Sequence, residues 1–179
     1  MIPIQSIRSA RLELVPATLA HVEAEIESPE ALGRLLSATV PASWPPGEYD
    51  RSAMEFFRAR LSEDPASVGW YGWYAVQRFE RGRSVVIGVA GYLGPPGSDG
   101  TVEVGYSIAP EFQAQAYATE IVQALVTRAW SIPVVNRIIA HTQQSNVGSV
   151  KVLERCGFRV VDPGGESGAV EYERLRPTT

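Results

Sequence analysis

A strand that alternates without a break and then runs, through a turn of small residues, into a one-faced helix constrains this chain more than any other feature. From Thr101 to Ile108, the residues Val102, Val104, Tyr106 and Ile108 fall on one face and Glu103, Gly105 and Ser107 on the other. That is the period of two expected of a half-buried strand. After the linker Pro110 to Glu120, the residues Ile121, Val122, Leu125, Val126, Ala129 and Trp130 recur at helical spacing as one broad apolar stripe. Such a stripe has to be buried, and a sheet flanking it is the natural partner.

The remaining elements fit the same layered plan. Arg11 to Val15 alternates and predicts a first strand, broken by Pro16. Thr18, the pair Ser28-Pro29, and Asp50 are cap signals for three helices whose inward residues are Leu19, Val22 and Ile26, then Leu32, Leu35 and Leu36, then Met54, Phe57 and Leu61. Between the second and third, the prolines of Val40 to Gly47 forbid helix and predict a surface loop anchored by Trp44. Trp70 to Phe79 and Ser84 to Leu93 read as a hairpin around Glu80 to Arg83, and residues 94–100 as a second turn, so that three strands form an antiparallel meander. Pro133 ends the long helix, and Val134 to Thr142 is a strand. Ser145-Asn146 caps a further helix closed by Gly157, and Phe158 to Val161 and Ala169 to Leu175 are the last two strands. The expectation is one α/β domain over residues 1–179, with a mixed, mostly antiparallel sheet flanked by helices on both faces.

Composition excludes several classes. The chain has 179 residues, 45% hydrophobic and 20% charged, which suits one globular domain. Sixteen basic and twenty acidic residues give a net charge of −4, so no basic nucleic-acid face is expected. One cysteine, Cys156, precludes an internal disulfide, and with two histidines, His21 and His141, a metal site is not expected. No apolar run is long enough to span a membrane and no signal peptide is evident, so a cytoplasmic protein is expected.

Chemistry is most readable at the start of the long helix. A helix start leaves about four N–H groups without internal partners and carries partial positive charge, so it can receive an anion such as a pyrophosphate. Ala114, Ala116 and Ala118 leave the backbone open to a ligand, and no Ser, Thr, Asp or Asn stands immediately before the helix to cap it. A helix start satisfied by water fits these residues equally well. Two other readings rest on residue type. Glu103, on the face opposite Val102, Val104 and Tyr106, is either a solvated carboxylate or a base for a substrate ammonium. Cys156 stands without a neighbouring histidine and reads as a small buried hydrophobe rather than a nucleophile.

The run from Glu103 to Phe158 resembles the GCN5-related N-acetyltransferase superfamily. That family's pyrophosphate motif, Gln/Arg-x-x-Gly-x-Gly/Ala, is matched by Gln113, Ala116 and Ala118. Asn146-x-x-Ser149 and Leu153-Glu154-Arg155-Cys156-Gly157-Phe158 match the second half of the acetyl-CoA region. Ser9-Ala10-Arg11-Leu12-Glu13-Leu14, with Glu103-Val104-Gly105-Tyr106, is most similar to the ribosomal-protein N-terminal acetyltransferase branch. The departure is Ala116 at the family's central glycine, with Ala114 just before it. Alanine accepts a helical φ freely and a positive φ only with strain, so the φ of this turn decides how the substitutions bear on cofactor binding.

The resemblance implies an acetyl-CoA-dependent transferase, without a metal, that moves an acetyl group to a primary amine on a protein N-terminus or a small molecule, by direct attack in a ternary complex. The implied cofactor residues are Tyr106, Ser107, Ile108, Gln113, Ala114, Gln115, Ala116, Tyr117, Ala118, Thr119, Asn146 and Ser149. Glu103 is the implied base, Ser149 a donor to the departing thiolate, and Asn146 a partner of the pantetheine arm or of a water near the thioester. Capping for Asn146, simple packing for Ser149 and a strand-end position for His141 stand as the structural alternatives. Leu153 occupies the place of the tyrosine acid found in many members, which leaves Tyr106, Tyr117 and Tyr172 as candidates. Trp44, Trp73 and His141 are expected on the acceptor side, with the Trp44-Pro45-Pro46 loop as its flap. A homodimer is left open, and a CoA-binding or sensing module with reduced or lost catalysis is the alternative function.

Overall fold

The computed structural model describes residues 4–79, 82–163 and 168–178. One sheet runs through the molecule: β1 (Ile7–Arg8), β2 (Leu12–Pro16), β3 (Gly72–Gln77), β4 (Val85–Tyr92), β5 (Thr101–Ile108), β6 (Arg137–Gln143), β7 (Arg159–Asp162) and β8 (Ala169–Leu175). Their order across the sheet is β1-β2-β3-β4-β5-β6-β8-β7. Every neighbouring pair is antiparallel except β5 and β6. The meander β3-β4-β5 is as the alternation predicts, and the Glu80-Arg81 part of its first turn lies outside the described residues.

Among the described residues, five α-helices cover the two faces: α1 (Leu19–Glu27), α2 (Pro29–Leu36), α3 (Arg51–Glu63), α4 (Tyr117–Trp130) and α5 (Val147–Arg155). Thr18, Ser28, Asp50 and Asn146 cap α1, α2, α3 and α5 as their residue types dictate. In β3, Trp73 and Ala75 face the core under α4, while Tyr74 and Val76 face the core under α1–α3. A strand covered on both sides needs no polar alternation, hence its continuous apolar run.

The structure departs from the sequence expectations at element edges. The edge strand β1 is added, paired Ile7 to Leu14. Leu35 is exposed, because α2 buries the arc Ala31-Leu32-Leu36 and Leu35 lies outside it. α4 begins at Tyr117, and β6 at Arg137 rather than Val134. Val134 lies outside the strand because the chain is still folding over the turn before β5, where the N–H of Asn136 donates to the carbonyl of Gly100.

Candidate active site

The parallel seam between β5 and β6 creates the site. The two strands pair at Thr101–Arg137, Val102–Ile138 and Glu103–Ile139. Beyond that rung β5 continues to Ile108 against β4, and β6 continues to Gln143 against β8. A wedge therefore opens toward the carboxyl ends of both strands, the place where open α/β sheets take ligands. Glu103 gives its carbonyl to the N–H of Leu93, and Ala109 gives its N–H to the carbonyl of Ile87, both on the β4 side. Strand alternation then turns the N–H of Val104 to the last rung of the seam and the N–H groups of Tyr106 and Ile108 into the wedge.

At the mouth of the wedge, a 3-10 turn (Pro110–Phe112) leads into α4 through Ala114 and Ala116, whose φ values are 58° and 62°. Both alanines occupy the left-handed region, so the positions that the family fills with glycine do require positive φ. The turn is held from two sides. Gln113 Nε2 donates to the Ile108 carbonyl (3.0 Å) and Gln115 Nε2 to the Glu111 carbonyl (3.1 Å). Arg11 reaches across from β2's start: Nη1 donates to the Gln115 carbonyl (3.0 Å), Nε to Glu120 (2.8 Å), and the guanidinium lies 4.1 Å from the centre of the Tyr117 ring. Among the described residues, none accepts a hydrogen bond from the N–H groups of Ala114 through Thr119. Glu120, the acid of the first turn, is occupied by Ser9 and Arg11 and does not cover those amides.

Across the wedge, Asn146 Oδ1 accepts from the N–H of Ser149 (3.1 Å), so its carbonyl end caps α5. The Ser149 hydroxyl stands 2.9 Å from the Tyr106 hydroxyl. Burial pushes the Tyr106 phenol up to about 12, against the pull of Ser149, which keeps it a proton donor. The other tyrosine candidates differ. Tyr117 is buried and its hydroxyl accepts from Gln77, and Tyr172 is packed in the core under α4.

On the opposite face of β5, Glu103, Gly105 and Ser107 form a strip. His141 Nδ1 lies 2.8 Å from Glu103 Oε1 and Nε2 lies 3.4 Å from Glu171 Oε2. Hydrogen bonding to Glu103 holds the imidazole above its ordinary value, opposed by desolvation. Glu171 in turn pairs with Arg137 (2.7 Å), and Arg137 with Glu173 (2.7 Å). A Cβ on Gly105 would meet no atom within 4 Å, so the middle of the strip is open. One end is closed by the Pro41–Asp50 loop: a Cβ on Gly47 would stand 3.4 Å from Ser107 Oγ, and Ser43 Oγ donates to Glu111 (2.6 Å).

Two expected acceptor residues are placed elsewhere. Trp73 is 0% exposed under α4, its indole N–H given to the Gly69 carbonyl, and a side chain pointing to that face cannot line the strip. Trp44 belongs to the loop but turns its indole inward to Glu25. Cys156 is buried, and desolvation pushes its thiol up to about 11, which suppresses the thiolate a nucleophile would need. Sequence reasoning missed Glu171 and Glu25. The register that sets Glu171 beside His141 is a pairing between strands about thirty residues apart, and no local pattern carries it.

Over this same stretch of chain a family model described as an acetyltransferase (GNAT) domain matches residues 11–159. The chain belongs to the GNAT acetyltransferases. It is 26% identical to an uncharacterised N-acetyltransferase, YjdG, of Bacillus subtilis (strain 168), over 85% of this chain and 88% of that one. Among solved structures it is similar to RimL, a ribosomal L7/L12 α-N-protein acetyltransferase in complex with coenzyme A, with TM-score 0.64, 19% identity and 96% and 98% of the two chains covered. It is also similar to the microcin C7 self-immunity acetyltransferase MccE in complex with acetyl-CoA and AMP, with TM-score 0.60, 16% identity and 94% of each chain covered. As a GNAT acyltransferase, the chain has the mostly antiparallel open sheet of the family. Among the described residues, no helix is long and apolar enough to cross a membrane.

Proposed function

We propose that this GNAT domain transfers the acetyl group of acetyl-CoA to a primary amine by direct attack in a ternary complex. The observation that carries the reading is the wedge between β5 and β6, with unpartnered amides at its mouth and the Glu103–His141 pair on its flank. The residues fit the coenzyme: the unpartnered N–H groups from Ala114 to Thr119 suit a pyrophosphate, and the wedge-facing N–H groups of Tyr106 and Ile108 suit an amide-bearing arm. Bound there, acetyl-CoA would supply an activated thioester.

The chain's own groups do the rest. An acceptor ammonium has no lone pair, so a proton has to leave before attack. The Glu103–His141 pair takes it, and carboxylates on both sides of the ring stabilise the resulting imidazolium. The N–H of Ile108 polarises the reacting carbonyl. Ser149 reprotonates the departing thiolate and Tyr106 supports it through their 2.9 Å contact. Since the remaining work is orientation, the loop and the strip that hold the amine matter as much as the base.

Similarity to RimL supports an α-amine on a protein as acceptor, and similarity to MccE, solved with AMP beside acetyl-CoA, supports a small-molecule acceptor. An α-amine titrates near ~8 and a lysine amine near ~10.4, so the former asks less of the base. The test is thiol release from acetyl-CoA across a panel of peptides with free N-termini and a panel of small amines. Acceptor-dependent release with one panel fixes the class; release with neither contradicts the reading.

A further inference from the structure

We infer that Glu25, remote from the transferred group, is a positioning residue for the acceptor, acting through the Pro41–Asp50 loop. The inference rests on the acetyl-transfer reading above. Glu25 is 5% exposed on α1. Its Oε1 accepts from Trp44 Nε1 (2.7 Å) and its Oε2 from the hydroxyls of Tyr49 (2.8 Å) and Tyr74 (2.6 Å). Among the described residues no basic side chain pairs with it. A carboxylate buried without a counter-charge is costly unless its lone pairs are satisfied, and here three rigid aromatic donors satisfy them.

The placement of those donors is the point. Trp44 and Tyr49 belong to the loop, and Tyr74 belongs to β3. Glu25 therefore fastens both ends of the Trp44–Tyr49 turn to α1, while Tyr74 separately ties the same carboxylate to the sheet. Trp44, Pro46 and Tyr49 are buried, while Pro45, Gly47 and Glu48 form an exposed rim. Gly47 on that rim sits against Ser107, and Ser43 ties the other shoulder to Glu111 just past β5. The height of the rim over the Glu103-Gly105-Ser107 strip is thus set by one carboxylate on the far side of the loop. A core polar network could serve stability alone; this one divides its donors between a sheet strand and the loop that borders the site.

That division supplies the experiment. Tyr49→Phe and Trp44→Phe each delete a loop donor, whereas Tyr74→Phe deletes a donor of the same kind from the sheet. With the acceptor found active in the panel, the loop variants and Glu25→Gln should raise the acceptor KM on the order of tenfold, leaving the acetyl-CoA KM unchanged, because misplacement of about 1 Å is enough to lose that much. Tyr74→Phe should lower the thermal midpoint at least as much as Tyr49→Phe yet keep the acceptor KM. An acceptor KM that follows thermal stability across all variants, or that Tyr49→Phe does not move, overturns the inference while leaving the transferase reading intact. The phenylalanine variants decide the matter even if Glu25→Gln does not fold. Wild-type protein without acceptor-dependent thiol release refutes the transferase reading, and this inference with it.

Discussion

Replacing Ala114 and Ala116 with glycine tests the turn proposed to receive the coenzyme, because the sign of the effect follows from φ. Both alanines hold φ near +60°, and the left-handed region costs an L-residue with a Cβ roughly 1–2 kcal/mol. Glycine removes that strain but loosens the unfolded chain, which costs about 0.4–1 kcal/mol per site. The net gain is then about 0.5–1 kcal/mol per site, or about 1–2 kcal/mol for the double variant if the sites add. In a chain of this size about 1 kcal/mol moves the thermal midpoint by roughly 2–4 °C, so the double variant should melt roughly 2–8 °C higher. Ala118→Gly is the control. Ala118 lies in the first turn of α4, where glycine should destabilise by up to about 1 kcal/mol. Differential scanning calorimetry reads the two single variants, the double variant and the control. A lower midpoint for Ala114→Gly and Ala116→Gly would show that the turn has negative φ and refute the strain argument. Isothermal titration with acetyl-CoA on the same proteins should show affinity kept or improved, since each change removes a methyl from the exposed backbone.

Three further substitutions test the site. Glu103→Gln should lower turnover by about 10²-fold or more, the usual range for a lost general base, with acetyl-CoA affinity unchanged by titration. Because Glu103 holds His141 above its ordinary value of 6.5, turnover should rise with pH along a limb centred above 6.5, and Glu103→Gln should move that limb to lower pH. The stability contributed by charged His141 is then fully present below its unfolded value and disappears as pH rises through the folded one, which urea titrations at several pH values would read. Gly105→Val should leave the thermal midpoint unchanged or higher, since the added side chain meets open space on a strand. It should cut acceptor turnover on the order of 10²-fold by filling the strip, and retained turnover would show that the amine lies elsewhere. Cys156→Ser should keep turnover, because the buried thiol is held out of its reactive form; its loss together with a normal fold by circular dichroism would reopen the covalent route.

Local chemistry made much of this legible in the sequence. Period-two alternation marked β5, the apolar stripe marked α4, and the cap residues Thr18, Ser28, Asp50 and Asn146 marked their helices, because each of these signals lies within a few residues of the element it defines. What the residues could not declare was anything settled by distant contact. The splay after Glu103 depends on which strand stops pairing with which. The turn of Ala114 and Ala116 is held by Arg11, which reaches the Gln115 carbonyl from 104 residues earlier in the chain. Trp44 and Trp73 read alike as aromatic residues near loops, yet one faces Glu25 and the other a core under α4, a difference decided by strand polarity and by a carboxylate 19 residues upstream of Trp44.

The short parallel seam carries a mechanical consequence. The β1–β5 and β6–β8 halves of the sheet exchange ladder bonds over a strip ending at Glu103 and Ile139, and past it the covalent route through α4 and the packing of α4 and α5 keep them together. A molecule lodged in the gap would act as mortar between two leaves of a book, so that occupancy, rather than any movement of a lid, should slow hydrogen exchange along both facing edges.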